Sequence, residues 1–316
     1  MSIVSDALDS IKAWFKDTLA NGIVSSLQLT CDTLNNTFSS SNQGIMKNLL
    51  NSTPDKFTGS TAKGATPIWS SIEKITNNAI VPVAIFILVV VIVYELIQMV
   101  VSNNNFRDFD TSIFFRWSIK AVCGILLVSN VFYITTNIFG FGVTAVTSGL
   151  NTLFPKGKDF LEKATLNTKL STNLANHFNE GQLFVMLLLS AAVLLVTFLV
   201  LGSIIVVLSS RMIEIFMYLS ISPIPMATMM NNDWGQIGKN WLRNILALAF
   251  QGFFIVVALM IFKTMLGNVI VQFGKESASS AENLMGSLAV LLGYVIALIF
   301  TIFRSSNISK SAFGAQ

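Results

Sequence analysis

The feature that most constrains this chain is a set of long apolar runs, of which residues 80–101 form the clearest. That run is dense in Val, Ile and Leu, and its only charged residue, Glu95, lies near one end. A helix needs roughly 20 predominantly apolar residues to cross ~30 Å of hydrocarbon. Val, Ile and Leu also favour the centre of the bilayer. The run therefore predicts a membrane-spanning helix.

The composition extends this conclusion to the whole chain. Of 316 residues, 53% are hydrophobic and only 11% are charged, whereas soluble domains contain about 25% charged residues. Such a chain cannot cover a water-facing surface with polar groups. We therefore predict an all-α fold, a polytopic transmembrane helix bundle of about five spans. The spans are expected at residues 80–101, 116–137, 182–208, 244–267 and 284–303.

The predicted organisation follows from these spans. It comprises an extracytoplasmic N-terminal region (1–79), two spans (80–137), a large, partly helical extracytoplasmic loop (138–181), three spans with a cytoplasmic-side break at 209–243 (182–304) and a short cytoplasmic tail (305–316). The first part of the loop is apolar, so we expect it to dip into the membrane interface or to pack against the bundle. Residues 52–67 have the composition of a linker.

The N-terminal region contains apolar residues at helical spacing. Val4, Leu8, Ile11, Phe15 and Leu19 recur with Asp and Lys residues between them, a pattern that predicts an amphipathic helix. Its apolar face could be covered by the membrane surface, by a partner or by the protein's own bundle.

The segment from residue 211 to 244 raises the main question of topology, because it lies between two apolar runs. Pro223 and Pro225 each remove a backbone donor and clash with a continuing helix, and bare backbone is not tolerated facing lipid. If the segment stays on one side, every Arg of the chain lies on that side. The positive-inside rule makes that side cytoplasmic. We therefore expect an external N-terminus, a cytoplasmic C-terminus and a break at 223–225, with an ordinary hairpin as the alternative.

Charged residues in or near the spans are the first site candidates. Glu95 and Lys120 form a possible intramembrane ion pair, since charges in lipid are usually paired or functional. Arg211 and Glu214, three residues apart, can pair on one helix face. The chain has one histidine, His177, and no catalytic or phosphate-binding motif. We therefore expect no metal site, no cofactor and no enzymatic activity.

The stretch 209–262 resembles the core of the TrbL-type conjugal transfer membrane proteins in their Gram-positive form. These are polytopic inner-membrane subunits of type IV secretion systems. The resemblance covers about residues 180–265, and the shortness of the carboxyl tail departs from long-tailed relatives. The candidates for structural or coupling roles are Arg211, Glu214, Pro223, Pro225, Trp234, Gly235, Lys239 and Arg243, with the Phe250-Gln251-Gly252 stretch as a further match.

The resemblance implies a scaffold or channel subunit for DNA transfer in the bacterial cell membrane. It implies a homo-oligomer in membrane lipid, beside a bitopic assembly subunit and the ATPases of the system. The cargo would be single-stranded DNA with its relaxase, and the loop 138–181 would be the region that contacts the strand. Two alternatives stay open: a small-molecule transporter or permease, which commonly shows repeats and mid-membrane charges, and a membrane enzyme such as a Ser–Lys protease.

Overall fold

The structure, a computed structural model, describes residues 2–38, 50, 52–58, 68–102, 111–153, 161, 168–276 and 281–315. Within these ranges all regular structure is helical, which confirms the all-α prediction. The α-helices are α1 (Ser2–Phe38), α2 (Ile68–Ile75), α3 (Val81–Ser102), α4 (Thr111–Ser129), α5 (Val131–Leu153), α6 (Thr168–His177), α7 (Glu180–Ser220), α8 (Pro223–Thr228), α9 (Gly235–Glu276) and α10 (Ala281–Ala312). A 3-10 turn covers Pro54–Lys56, and a π-helical segment, Thr76–Ile80, joins α2 to α3.

Five helical segments in the described part of the chain are long and apolar enough to cross a membrane. They are Ile68–Val101, Val131–Thr152, Glu180–Ser220, Gly235–Ile270 and Glu282–Ala312. The prediction of a polytopic bundle with about five spans is therefore confirmed. Each segment lies in a single helix except the first, which runs through α2, the π-helical segment and α3.

The second of these segments lies further along the chain than predicted. Instead of one span at 116–137, α4 ends at Ser129, and α5 continues to Leu153 through residues expected to begin the large loop. This part of the chain is apolar, as predicted, but it is also rich in Gly and Thr, and it forms a helix long enough to cross a membrane rather than the start of a loop. In the helix the Thr144 and Thr147 hydroxyls donate to the backbone carbonyls four residues earlier, at 2.9 and 2.8 Å. These bonds hide the polarity of the two side chains.

Other boundaries also differ from the predicted ones. The first span begins at Ile68 rather than at residue 80, and α10 continues through the predicted tail to Ala312. In this last part Ser309 donates to the carbonyl of Ala247 at 2.5 Å. Much of the predicted linker (59–67) and of the predicted loop (154–160 and 162–167) lies outside the described residues.

The chain divides into two compact units. The first contains residues 1–46, 149–207 and 255–304, and the second contains 47–148, 208–254 and 305–316. The core of the first unit is formed by the second half of α1, by α6 and by the beginnings of α7 and α10. Its central members are Leu19, Ile23, Leu27, Leu174, Leu183, Met186, Leu284 and Leu288. Small residues let α1 approach α7 closely: a Cβ on Gly22 would lie 2.9 Å from Leu187 Cδ1.

The two halves of α1 differ in how far the described part of the chain covers them. From Leu19 onward most of its apolar side chains are buried, with Leu29 as an exception, whereas Leu8, Ile11, Trp14 and Phe15 are 52%, 61%, 67% and 43% exposed. Among the described residues, the protein's own bundle therefore covers one face of the amphipathic helix after Leu19 and leaves the apolar residues between Leu8 and Phe15 exposed.

The thiol of Cys31, on α1, provides a test of this packing. Burial, and then the charge of Asp32, raise its pKa from 9.0 to about 11. Because the thiolate is the reactive form, we expect its alkylation by iodoacetamide at pH 8 to be about 100-fold slower than in the unfolded chain. The rate should rise with pH until about 11, the pKa itself.

The measurement is mass-spectrometric peptide mapping of a Cys123→Ser variant, which leaves Cys31 as the only thiol. The same protein unfolded in urea is the control. Equal alkylation rates in the folded and unfolded protein at pH 8 would contradict the raised pKa of the partly buried Cys31 thiol.

Candidate functional site

The proline-containing segment forms a short helix in the second unit. α7 ends at Ser220, and Pro223 and Pro225 open α8. Proline suits the first turn of a helix, where its missing N–H has no intrahelical partner to lose. The hydroxyl of Ser222 donates to the carbonyl of Leu219 at 2.6 Å, and that of Thr228 donates to the carbonyl of Pro225 at 2.9 Å. Both prolines are buried, so the interrupted backbone is covered by protein, as the bilayer interior requires.

Glycines allow this segment to pack closely against neighbouring helices of the same unit. A Cβ on Gly238, in the first turns of α9, would lie 2.6 Å from the carbonyl oxygen of Pro225. On α4, a Cβ on Gly124 would lie 3.0 Å from Leu88 Cδ1 and 3.3 Å from Met230 Cγ. α8 and the turn after it are therefore held against α3, α4 and α9.

A buried carboxylate lies at the centre of this packing. Glu95, on α3, is 3% exposed, and Lys120 of α4 pairs with its Oε1 atom. Its Oε2 atom accepts a hydrogen bond from Asn231 Nδ2 at 2.8 Å and a longer one from the backbone N–H of Asn232 at 3.4 Å. We call these four residues, Glu95, Lys120, Asn231 and Asn232, the polar junction. It joins α3 and α4 to the turn between α8 and α9.

Asn231 also shapes that turn. Its Oδ1 atom accepts hydrogen bonds from the backbone N–H groups of Asp233 and Trp234, both at 2.9 Å. Its carbonyl accepts one from Gly235, also at 2.9 Å, where α9 begins. This is the role of an N-terminal helix cap, for which Asn is among the best residues. Asn231 was not among the predicted site residues, although an Asn shortly before a helix start is a recognisable signal.

The outer side of the turn is held to α3 by aromatic and polar contacts. Trp234 stacks on Tyr94, with ring centroids 5.3 Å apart and ring planes 6° apart. Asp233 accepts hydrogen bonds from Gln98 and from the hydroxyl of Tyr94. Trp234 is exposed, whereas Trp241 is buried and donates to the carbonyl of Tyr218 at 3.2 Å. The structure therefore places Trp241 inside the second unit and Trp234 at its surface.

The expected Arg211–Glu214 pair is replaced by two separate contacts. Arg211 is buried and reaches across to α9, where Nε donates to Leu248 O at 2.8 Å and Nη2 donates to Ala249 O at 3.3 Å. Glu214 pairs with Lys310 at 3.0 Å. Arg211 has room to cross because α9 carries Gly252 there: a Cβ on that residue would lie 3.1 Å from Arg211 Nη1. Among the described residues Nη1 has no hydrogen-bond partner.

A third helix meets α7 and α9 at the same place. A Cβ on Gly142, in α5, would lie only 2.4 Å from the carbonyl oxygen of Ala249, which also accepts from Arg211. We call Gly142, Arg211, Ala249 and Gly252 the arginine contact. It fixes the spacing of α5, α7 and α9.

The remaining predicted residues lie apart from both groups. Lys239 and Arg243 are exposed on the first turns of α9. The described residues contain no cluster of His, Cys, Asp and Glu suited to a metal ion. The polar junction and the arginine contact each tie three elements of the second unit together through hydrogen bonds and close packing.

Comparison with known proteins assigns the chain to a family. Residues 43–223 match the model of a family described as TrbL/VirB6 plasmid conjugal transfer like protein. The match includes Glu95, Lys120 and Arg211, and it begins and ends earlier than the stretch 180–265 on which the resemblance rested. No curated protein and no solved structure matches the chain. Because the family match covers more than half of the chain and five helices are suited to cross the membrane, this multi-pass membrane protein belongs to the TrbL/VirB6 plasmid conjugal transfer-like family.

Proposed function

We propose that the protein is a membrane scaffold or channel subunit of a conjugative type IV secretion system. In this role it helps single-stranded DNA with its relaxase to cross the bacterial cell membrane. The observation that carries the proposal is the family match over residues 43–223. The subunit works without a catalytic group or cofactor, as a homo-oligomer beside a bitopic assembly subunit and ATPases. Its N-terminus lies outside and its C-terminus in the cytoplasm, as the positions of the arginines predict.

The polar junction supports a coupling role for the break between α7 and α9. Glu95 lies near the end of α3 and Lys120 near the middle of α4, so the junction ties two helices to the turn. In the proposed orientation this turn faces the cytoplasm. Lys239 and Arg243, exposed beside it, are the proposed contact for the cytoplasmic ATPases. Arg211, Glu214, Pro223, Pro225, Trp234 and Gly235 keep the turn and its helices in place.

The proposed strand-contact region is smaller than the predicted loop. Because α5 extends to Leu153, it is confined to residues 154–181. Of these, the structure describes Leu161 and the part from Thr168 onward, which includes α6.

The proposal is tested by the frequency of conjugal transfer from a donor strain. An in-frame deletion of the gene should abolish transfer, and the gene supplied in trans should restore it. Complementation with a Lys239→Ala/Arg243→Ala variant should restore membrane insertion but leave transfer reduced at least about tenfold, because rim charges steer association with a partner. Lys56→Ala, at an exposed position outside α9, is the control.

Unchanged transfer after the deletion would overturn the proposal. Saturable solute uptake into vesicles containing the purified protein would then favour the transporter alternative.

A further inference from the structure

The first half of α1 has two chemically distinct faces. Successive residues of a helix are rotated by about 100°, so Leu8, Ile11, Trp14 and Phe15 fall within one arc of roughly 120°. All four are exposed. The opposite side carries charged residues, and α1 is not among the helices apolar enough to span a membrane. We call the four residues the apolar arc.

The apolar arc lies beyond the part of α1 that packs on the bundle. Gly22 faces Leu187 of α7, and the hydroxyl of Ser26 donates to Ser190 at 2.8 Å. Residue numbers increase together along the two helices from the first contact to the second, so α1 and α7 run parallel here. Phe15 lies seven residues before Gly22, and Glu180 lies seven residues before Leu187. Phe15 is therefore about level with Glu180, where α7 begins. Earlier residues continue past that end by about 1.5 Å each.

The two edges of the apolar arc carry opposite charges. Lys12 and Lys16 follow Leu8 around the helix, with Asp9 just beyond Lys16, whereas Asp17 and Asp6 follow Trp14 on the other edge, so the net charges of the two edges are opposite. A helix that lies on anionic lipid typically carries Lys and Arg on its polar face. Here residues 6–17 contain three Asp and two Lys. The charge pattern therefore favours a protein partner.

Copies of this chain supply a partner of matching charge. Copies inserted in one membrane share one orientation, and a closed ring of copies places one edge of each subunit against the other edge of its neighbour. The Lys edge of one helix then faces the Asp edge of the next. Lys16 and Asp17 differ in height by only about 1.5 Å along the helix, so they can pair between neighbours.

We propose that the first halves of α1 from several copies associate as a parallel helical bundle, with the apolar arcs inside. Lys12 and Lys16 of each copy face Asp17 and Asp6 of the next. This bundle is an interface of the homo-oligomer in the proposed function, and to that extent it rests on the proposed function. It is inferred from the faces of α1 alone.

The experiment is cysteine cross-linking of the full-length protein in membranes, in a Cys31→Ser/Cys123→Ser background. Ile11→Cys, in the apolar arc, should give covalent dimers on oxidation. Ala13→Cys, on the opposite face, is the matched control and should give several-fold fewer. Equal dimer yields at the two positions, or none at either, would overturn the proposal. Protection of Ile11→Cys from a water-soluble maleimide without dimer formation would point to lipid instead.

Charge exchange tests the pairing of the edges. Lys16→Asp should lower the yield of Ile11→Cys dimers several-fold, because two acidic edges would meet. Lys16→Asp/Asp17→Lys should restore the yield, because the exchanged edges again have opposite charges. Failure of this rescue would refute the proposed arrangement. Transfer frequency is measured on the same strains: intact transfer without cross-linking rejects only this interface, and cross-linking in a protein dispensable for transfer rejects only the proposed function.

Discussion

Glu95→Leu is expected to lower the free energy of unfolding by about 3 kcal/mol, the lower end of the range for breaking a buried ion pair. The substitution leaves Lys120 without its anion and leaves the Asn231 amide and the Asn232 N–H without an acceptor. The lower end applies because the Lys120 side chain is 33% exposed and can recover part of its hydration. The measurement is denaturant unfolding of the purified protein in detergent.

Two further variants make this result specific. Glu214→Leu removes the ion pair with Lys310, whose side chains are 32% and 31% exposed, and should cost less than about 1 kcal/mol. Glu95→Leu/Lys120→Met should recover part of the loss, since it removes the unpaired cation but leaves Asn231 unsatisfied. Equal losses for Glu95→Leu and Glu214→Leu would show that Glu95 does not hold α3, α4 and the turn together.

Gly142→Ala is expected to destabilise the second unit by about 1–3 kcal/mol, the usual cost of overpacking. The new Cβ would lie 2.4 Å from a backbone oxygen, that of Ala249. A backbone atom in a helix cannot rotate aside as a side chain does, so α5 must move away from α9. That movement disturbs the oxygen that accepts from Arg211 Nη2.

Gly140→Ala is the control for this substitution, two residues away on the same helix. A Cβ on Gly140 meets nothing within 4 Å, so the better helix propensity of Ala should stabilise the protein by up to about 1 kcal/mol. The two substitutions are therefore expected to have opposite signs in the same unfolding measurement. A stabilising effect of Gly142→Ala would contradict the close contact of α5 with Ala249.

The prediction of spans succeeded where the signal was strongest. Residues 80–101 and 182–208 lie within spanning segments. Their Val, Ile and Leu content identifies a lipid-facing helix without any knowledge of its neighbours. The predicted boundaries of the spans differ from the observed ones where hydrogen bonds within a helix mask the polarity of its side chains. In α5, Thr144 and Thr147 bond to their own helix, and a reading of composition counts them as polar.

The two side-chain pairs predicted from the sequence also differ in how the structure places them. Glu95 and Lys120 were named from the rule that charges in lipid seek a partner, and the structure brings them together. Arg211 and Glu214 were matched by their spacing on one helix, yet each contacts another element. Spacing identifies neighbours along a helix, but a long side chain bonds to whatever packs beside it.

The sequence by itself determined the all-α class, the membrane environment and the interruption of the backbone at Pro223 and Pro225. Each of these follows from properties of a residue and its immediate neighbours: transfer free energy, helical periodicity and the missing N–H of proline. Only the tertiary structure decided that Asn231 bonds to Glu95, that Arg211 crosses to Ala249 and that the earlier turns of α1 stay uncovered. These features depend on which helices pack together, and residues far apart in the chain carry no local signal of that packing.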